Sequence, residues 1–138
     1  MDNKRYFVKI SPLLNEEEKT IQINTELLEV IEDDNFDNLE FFHKHVADTI
    51  DITSFYMDSM EDDFALIVDD IGLMISGNVV VSIIYSVNGK EYKQALSGNV
   101  LVGKNKKIDF GYDTVGMTLE EAEDFLNNVK LDAYGIVR

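Results

Sequence analysis

His43 and His45 are the only histidines in this chain. They stand two residues apart in a segment whose apolar spacing is helical. On a helix they point to nearly opposite sides, so they cannot chelate one metal ion as an i, i+4 pair can. The expectation is a pair of solvated or partner-facing imidazoles. Cysteine is absent, which removes disulfides, thiolate zinc sites and cysteine nucleophiles and is compatible with a reducing cytosol. There is no Gly-x-Ser-x-Gly elbow, phosphate-binding loop or dinucleotide glycine pattern.

The carboxylates are many but not arranged for chemistry. Asp33, Asn35 and Asp37 have the 1-3-5 spacing of a calcium loop. The position that needs glycine is Asn38 and the one that needs glutamate is Lys44, so the loop fails twice. Asp58, Asp62 and Asp63 do no better. With 27 acidic residues in the chain, pairs at glycosidase-like spacing arise by chance and carry no weight. The reading is a binding protein, with no catalytic centre, dedicated metal site or cofactor.

What distinguishes the acid is its concentration. Residues 16–70 hold 18 Asp or Glu against Lys19 and Lys44, a net of −16, while residues 71–112 hold two acids against five Lys. The whole chain carries −15. Such a charge repels phosphate backbones and anionic lipid, so direct binding to nucleic acid or membrane is not expected. A basic protein surface is the better electrostatic match. The residues expected to engage it are Glu26, Glu29, Glu32, Asp33, Asp34, Asp37 and Glu40, joined by Asp58, Glu61, Asp62 and Asp63. Duplex DNA carries one charge per ~1.7 Å of axis. Rows of carboxylates on helices approach that density and could occupy a groove that normally holds phosphates. The opposing view is that a charge run is a solvated face that keeps a protein soluble.

The elements that must position these residues follow from periodicity. A length of 138 residues with 45% hydrophobic content suits one domain with a real core. Tyr6-Phe7-Val8-Lys9-Ile10 reads as a strand ended by Ser11-Pro12. Lys19-Thr20-Ile21-Gln22-Ile23 reads as a second. Thr25 can cap a helix from Glu26 carrying Leu27, Leu28 and Ile31 on one face. A second helix begins near Asn38, with Leu39, Phe42 and Val46 as its buried stripe. Residues 50–57 return to a period of two. Phe64-Ala65-Leu66-Ile67-Val68 is a central strand. Val79–Val87, the turn Asn88-Gly89 and residues 91–96 form a hairpin. Residues 100–102 are another strand, followed by a polar loop over 104–107. Thr118-Leu119-Glu120-Glu121 is a capping box opening a helix with Leu119, Ala122, Phe125, Leu126 and Val129 buried. The tail from Leu131 packs back as a strand.

Ile75-Ser76-Gly77-Asn78-Val79-Val80-Val81 is echoed by Leu96-Ser97-Gly98-Asn99-Val100-Leu101-Val102. It reads as turn chemistry before a Val-rich strand rather than a duplicated binding loop.

Three segments together resemble a family. Phe64-Ala65-Leu66-Ile67-Val68-Asp69-Asp70-Ile71-Gly72, the Val100-Leu101-Val102-Gly103 strand and Gly116-Met117-Thr118-Leu119-Glu120-Glu121-Ala122 are similar to a domain-of-unknown-function family carried by bacterial phages, plasmids and related mobile elements. The likeness spans about residues 5–130. The chain departs from the pattern by lacking a Pro-Asn stretch between Gly72 and Asn99 and by inserting the hairpin over 79–95. The resemblance implies no catalytic residues. It implies a setting in which small acidic proteins block host defence nucleases.

The expected fold is therefore α+β, a mostly antiparallel sheet with two N-terminal helices and one C-terminal helix in a single domain over residues 1–138. Met1-Asp2-Asn3-Lys4-Arg5 is not followed by a signal-like apolar run, and the expected location is cytoplasmic. The expected function is an acidic interaction protein that binds a basic host protein, in the manner of a DNA mimic. The alternative is a non-catalytic accessory domain that self-associates through its sheet.

Overall fold

The computed structural model describes residues 3–54, 64–75, 77–87 and 89–137, apart from the side chains of Lys107 and Tyr112. The order of elements is β1 (Lys4–Asn15), β2 (Thr20–Ile31), α1 (Asn38–His45), β3 (Ile50–Ser54), β4 (Phe64–Asp69), a short 3-10 turn (Gly72–Met74), β5 (Val79–Val87), β6 (Lys90–Ser97), β7 (Val100–Ile108), β8 (Gly111–Val115), α2 (Leu119–Asn128) and β9 (Val129–Ile136). The larger sheet runs β2-β1-β7-β4-β3, with β8 beside β7; the smaller runs β6-β5-β9. Every strand pairing among the described residues is antiparallel. The class is α+β and mostly antiparallel. No helix of the described residues is long and apolar enough to cross a membrane.

The strand period of two sorts the apolar residues into two cores. Val8, Ile10, Leu66, Val100 and Val102 leave the large sheet on one face and meet Val79, Val81, Ile83 and Tyr85 of the small sheet, with Phe125 of α2. Phe7, Ala65, Ile67 and Leu101 leave the opposite face and meet Phe42 of α1. The large sheet is thus the middle layer between α1 and the small sheet. β4 accordingly has a continuous run of buried residues, 65–68.

The first expected helix is not there. Residues 26–31 continue β2, which pairs with β1 in an unbroken register from Asn15↔Thr20 to Lys4↔Ile31. Only one helix lies in the N-terminal half, α1, starting at Asn38. Leu27, Leu28 and Ile31 imitate a helical face, but Leu28 and Val30 share the face that packs on α1, and Leu27 and Ile31 are exposed. Ile21 and Ile23 pack on the other face. β2 therefore changes its buried side midway, which breaks the simple alternation without breaking the strand. Pairing along a 12-residue partner overrides the local pattern.

Other boundaries shift for the same reason. Pro12 does not end β1; pairing of β1 to β7 covers only Val8 to Ile10, so Pro12 lies where a missing N–H is tolerated. The expected loop at 104–107 is strand, paired with β8. On α1, Phe41 and Phe42 carry the packing and Leu39 is exposed. The hairpin at Gly89, whose φ is +79°, the capping box at Thr118 and the returning tail strand are as expected. Residues 55–57 and Asn88 lie outside the described residues.

Where β7 leaves β1, β8 takes its place: Lys104 pairs with Val115 and Tyr6 bridges to Met117. Phe7 fills this junction and is fully buried. A Cβ on Gly103 would stand 2.7 Å from its Cε1 and 2.8 Å from the Val115 carbonyl oxygen; one on Gly116 would stand 2.7 Å from Arg5 Cβ and 3.1 Å from Phe7 Cε2. Both positions must lack a side chain for the ring to fit. Gly103→Ala is expected to cost about 1–3 kcal/mol by overpacking. Gly135→Ala, with nothing within 4 Å of the added carbon, is expected to change stability by less than about 0.5 kcal/mol. Denaturant melts of the two variants check this, and equal losses would contradict the packing. Thr118→Ala, which removes the acceptor of the Glu121 N–H, should cost roughly 1 kcal/mol in the same assay.

Candidate functional site

The sheet order leaves β2 at the margin of the large sheet, so its acids line an edge rather than the helix faces expected for them. Glu26 lies on the α1 side of the strand and Glu29 on the other, because side chains alternate. Both are exposed. Asp34 and Glu40 are exposed in the turn to α1 and on its first turn. Three of the expected residues have local work. Glu32 is half-buried, and its Oε2 accepts a 3.0 Å bond from the Gly116 N–H, tying the end of β2 to the junction beside Phe7. Asp33 Oδ1 accepts from the Asn35 N–H at 2.9 Å. Asp37 caps α1 by accepting from the Glu40 N–H at 3.1 Å. The calcium-like spacing of Asp33, Asn35 and Asp37 is thus turn and cap chemistry. Asp58, Glu61, Asp62 and Asp63 lie outside the described residues.

The basic N-terminus is folded against this edge. Lys9 is the cross-strand partner of Glu26, and Lys4 Nζ lies 3.2 Å from Glu29 Oε1. Elsewhere, Lys104 Nζ lies 2.6 Å from Glu121 Oε2. Burial alone would raise the Glu121 carboxyl, but bonds from Lys104 and Thr118 and the Lys104 charge outweigh it and hold the group below the usual carboxylate range. Charge segregated along the chain is partly offset in space.

Sequence reasoning expected both histidines to be solvated or to face a partner. His43 is exposed, but His45 is half-buried. Its ring packs on Phe41 with centroids 4.7 Å apart, and its Nδ1 is 3.4 Å from Lys9 Nζ. The ammonium can only donate, so in this contact Nδ1 is the acceptor. Burial, then the charges of Lys9 and Lys44, push the imidazole below its ordinary value of 6.5, against an upward pull from Glu26. The helical period alone could have found this contact: His45 follows Phe41 by four residues.

Two clefts flank the turns that open the Val-rich strands. One of about 260 Å³ is lined by Gly77, Asn78, Gly98 and Asn99 of the echoed segments. Asn78 Nδ2 and Ser97 Oγ both donate to the Gly72 carbonyl oxygen, at 3.0 and 2.7 Å. The echo thus clamps the apolar turn Gly72–Met74. The second cleft, of about 320 Å³, lies between β3 and β6 under Leu73 and Met74, with Asp51, Asp69 and Asp70 on its rim. No group of three His, Cys, Asp or Glu side chains able to hold a metal occurs among the described residues.

Stability should respond to the His45 environment. The folded chain releases this proton more readily than the unfolded chain, so below about 6.5 the unfolded state binds more protons and stability falls as pH drops. Carboxylate repulsion also changes with acid, but it is common to wild type and His45→Gln. The wild type should therefore lose more stability than His45→Gln in melts compared at pH ~7.5 and ~5.5. Equal losses would put the imidazole in solvent.

Comparison of the chain with known protein families, curated proteins and solved structures finds no match.

Proposed function

We propose that this chain is an interaction protein whose acidic β2 edge docks on a basic protein surface, occupying a groove that otherwise holds nucleic-acid phosphates. The observation that supports it is the placement of exposed acid along one sheet margin. Glu16, Glu17 and Glu18 stand in the turn before β2, Glu26 and Glu29 on the strand, and Asp33, Asp34, Asp37 and Glu40 beyond its far end, all exposed. β2 is a 12-residue strand of about 40 Å, with two of these carboxylates on it and the other seven grouped at its two ends. An exposed acidic margin of this kind suits a basic groove that tracks a phosphodiester backbone without reading sequence.

Edge strands also carry charge simply to deter pairing with other edges, and this second reading accounts for acid on β2 with no partner at all. The mobile-element setting implied by the family resemblance favours a partner among nucleases and other nucleic-acid-binding host proteins.

Immobilised protein is expected to capture basic nucleic-acid-binding proteins from bacterial lysate at low salt. High salt or single-stranded oligonucleotide should release them, because the attraction is Coulombic and screened over ~8 Å at physiological ionic strength. Replacing Glu26, Asp34 and Glu40 together by Lys should weaken binding by about tenfold or more (about 1.4 kcal/mol). The same reversal at Glu91, Glu123 and Asp132 should not. If the first variant captures as the wild type does, or the partner holds oligonucleotide and protein at once, the edge does not replace phosphates.

A further inference from the structure

Two apolar features of this acidic chain lie outside the β2 edge, and they are complementary. The first is the cleft between β3 and β6. Leu73 and Met74 overhang it, 65% and 83% exposed, on a turn held rigid by the two bonds to the Gly72 carbonyl. Leu96 lines its wall, and Asp51 and Asp70 stand on the rim. The rim carboxylates are exposed. The second is the β7–β8 hairpin. Ile108 pairs with Gly111, so Asp109 and Phe110 form a two-residue tip. Phe110 is 97% exposed and Ile108 47%. Its stem carries Lys106, while Lys104 at its base is already paired with Glu121.

We propose that the hairpin of one copy inserts Phe110 into the β3–β6 cleft of a second copy. The chemistry matches: an aromatic tip flanked by Ile108, on a stem bearing Lys106, faces a cleft of Leu73, Met74 and Leu96 rimmed by Asp51 and Asp70. The size matches, since a cavity of ~150 Å³ admits benzene and this cleft holds about 320 Å³. Within one molecule the contact is out of reach. β4 pairs with β7 from Phe64↔Lys104 to Ile67↔Leu101, so Asp69 and the apolar turn lie beyond the Val100 end of β7 while Phe110 lies beyond its Ile108 end. The nine residues of β7 separate them by about 30 Å. A tip at one pole and its receptor at the other make a heterologous, head-to-tail contact, which propagates into rings or filaments. The proposal does not depend on the partner assigned to the β2 edge.

The test is sedimentation velocity across a wide range of concentration, at low and high salt. Wild-type protein should shift to faster species as concentration rises, and less so in high salt. Phe110→Asp, which loses the tip, and the double variant Leu73→Asp, Met74→Asp, which loses the cleft, should each sediment as monomers; all these side chains are exposed, and circular dichroism confirms that the variants fold. Mixed together, the two variants should form a one-to-one dimer, because each retains the half that the other lacks. An interface in which the tip meets a second tip, or the cleft a second cleft, cannot be rescued in this way. A wild-type monomer at every concentration, self-association that survives Phe110→Asp, or a mixture that remains monomeric would each overturn the proposal.

Discussion

Phe7 is the residue on which the arrangement of the large sheet depends. It sits on β1 where β7 stops pairing with that strand and β8 takes over, with its ring against the backbones of Gly103 and Gly116. On the same side it meets Phe41 at 5.1 Å and Phe42 at 5.8 Å between centroids. α1 is therefore seated by the same ring that fills the strand junction. Its neighbour Val8 points the other way, into the core shared with the small sheet. Adjacent residues of one strand thus join all three layers, and neither face of β1 can be altered without disturbing a layer. Close packing of this kind makes the site sensitive to a single methyl group.

The second core is organised by a smaller aromatic group. Phe64, Tyr85 and Phe125 meet with centroids 4.9–5.8 Å apart, joining a strand of each sheet to α2. Gln94 adds a polar link, its Nε2 donating to the Ser54 carbonyl oxygen at 2.9 Å. That bond sets β6 beside β3 and so shapes the cleft between the sheet edges. The architecture leaves sheet margins open, and charged side chains stand on them: Glu26 and Glu29 on β2, Lys90, Glu91 and Lys93 on β6, and Lys130 and Asp132 on β9. A sandwich with open edges needs such protection. In the proposed docking the same charges on β2 would both protect the edge and select the partner.

The acidic run divides by environment. Glu32, Asp33 and Asp37 accept backbone hydrogen bonds and build the corner that carries β2 into α1. Glu26 and Glu29 face lysines of β1. A net charge counted along the sequence therefore overstates the field at any one point of the surface, because folding brings the basic N-terminal strand back against the acidic one.

Much of the molecule was legible in its residues because the signals are local. The capping box at Thr118 needs only neighbours three positions apart, the glycine of the Gly89 turn needs only its own freedom to adopt positive φ, and the buried runs of β4 and β5 show in composition alone. The class, α+β with antiparallel pairing, follows from those elements. The conformation of residues 26–31 did not follow. Helix and strand are close in local preference there, and the decision belongs to the twelve-residue partner β1 and to α1, which covers Leu28 and Val30 on the face opposite Ile21. β8 was missed because the polar stretch over 104–107 reads as a loop, although it pairs locally with residues 112–115 across the tip at Asp109 and Phe110. By itself the sequence determined where acid is concentrated and which catalytic motifs are lacking. Tertiary structure alone decided that this acid lies along a sheet margin, that three of its carboxylates are hydrogen-bonded to backbone, and that His45 is half-buried beside Lys9, because each of these depends on contacts between residues far apart in the chain.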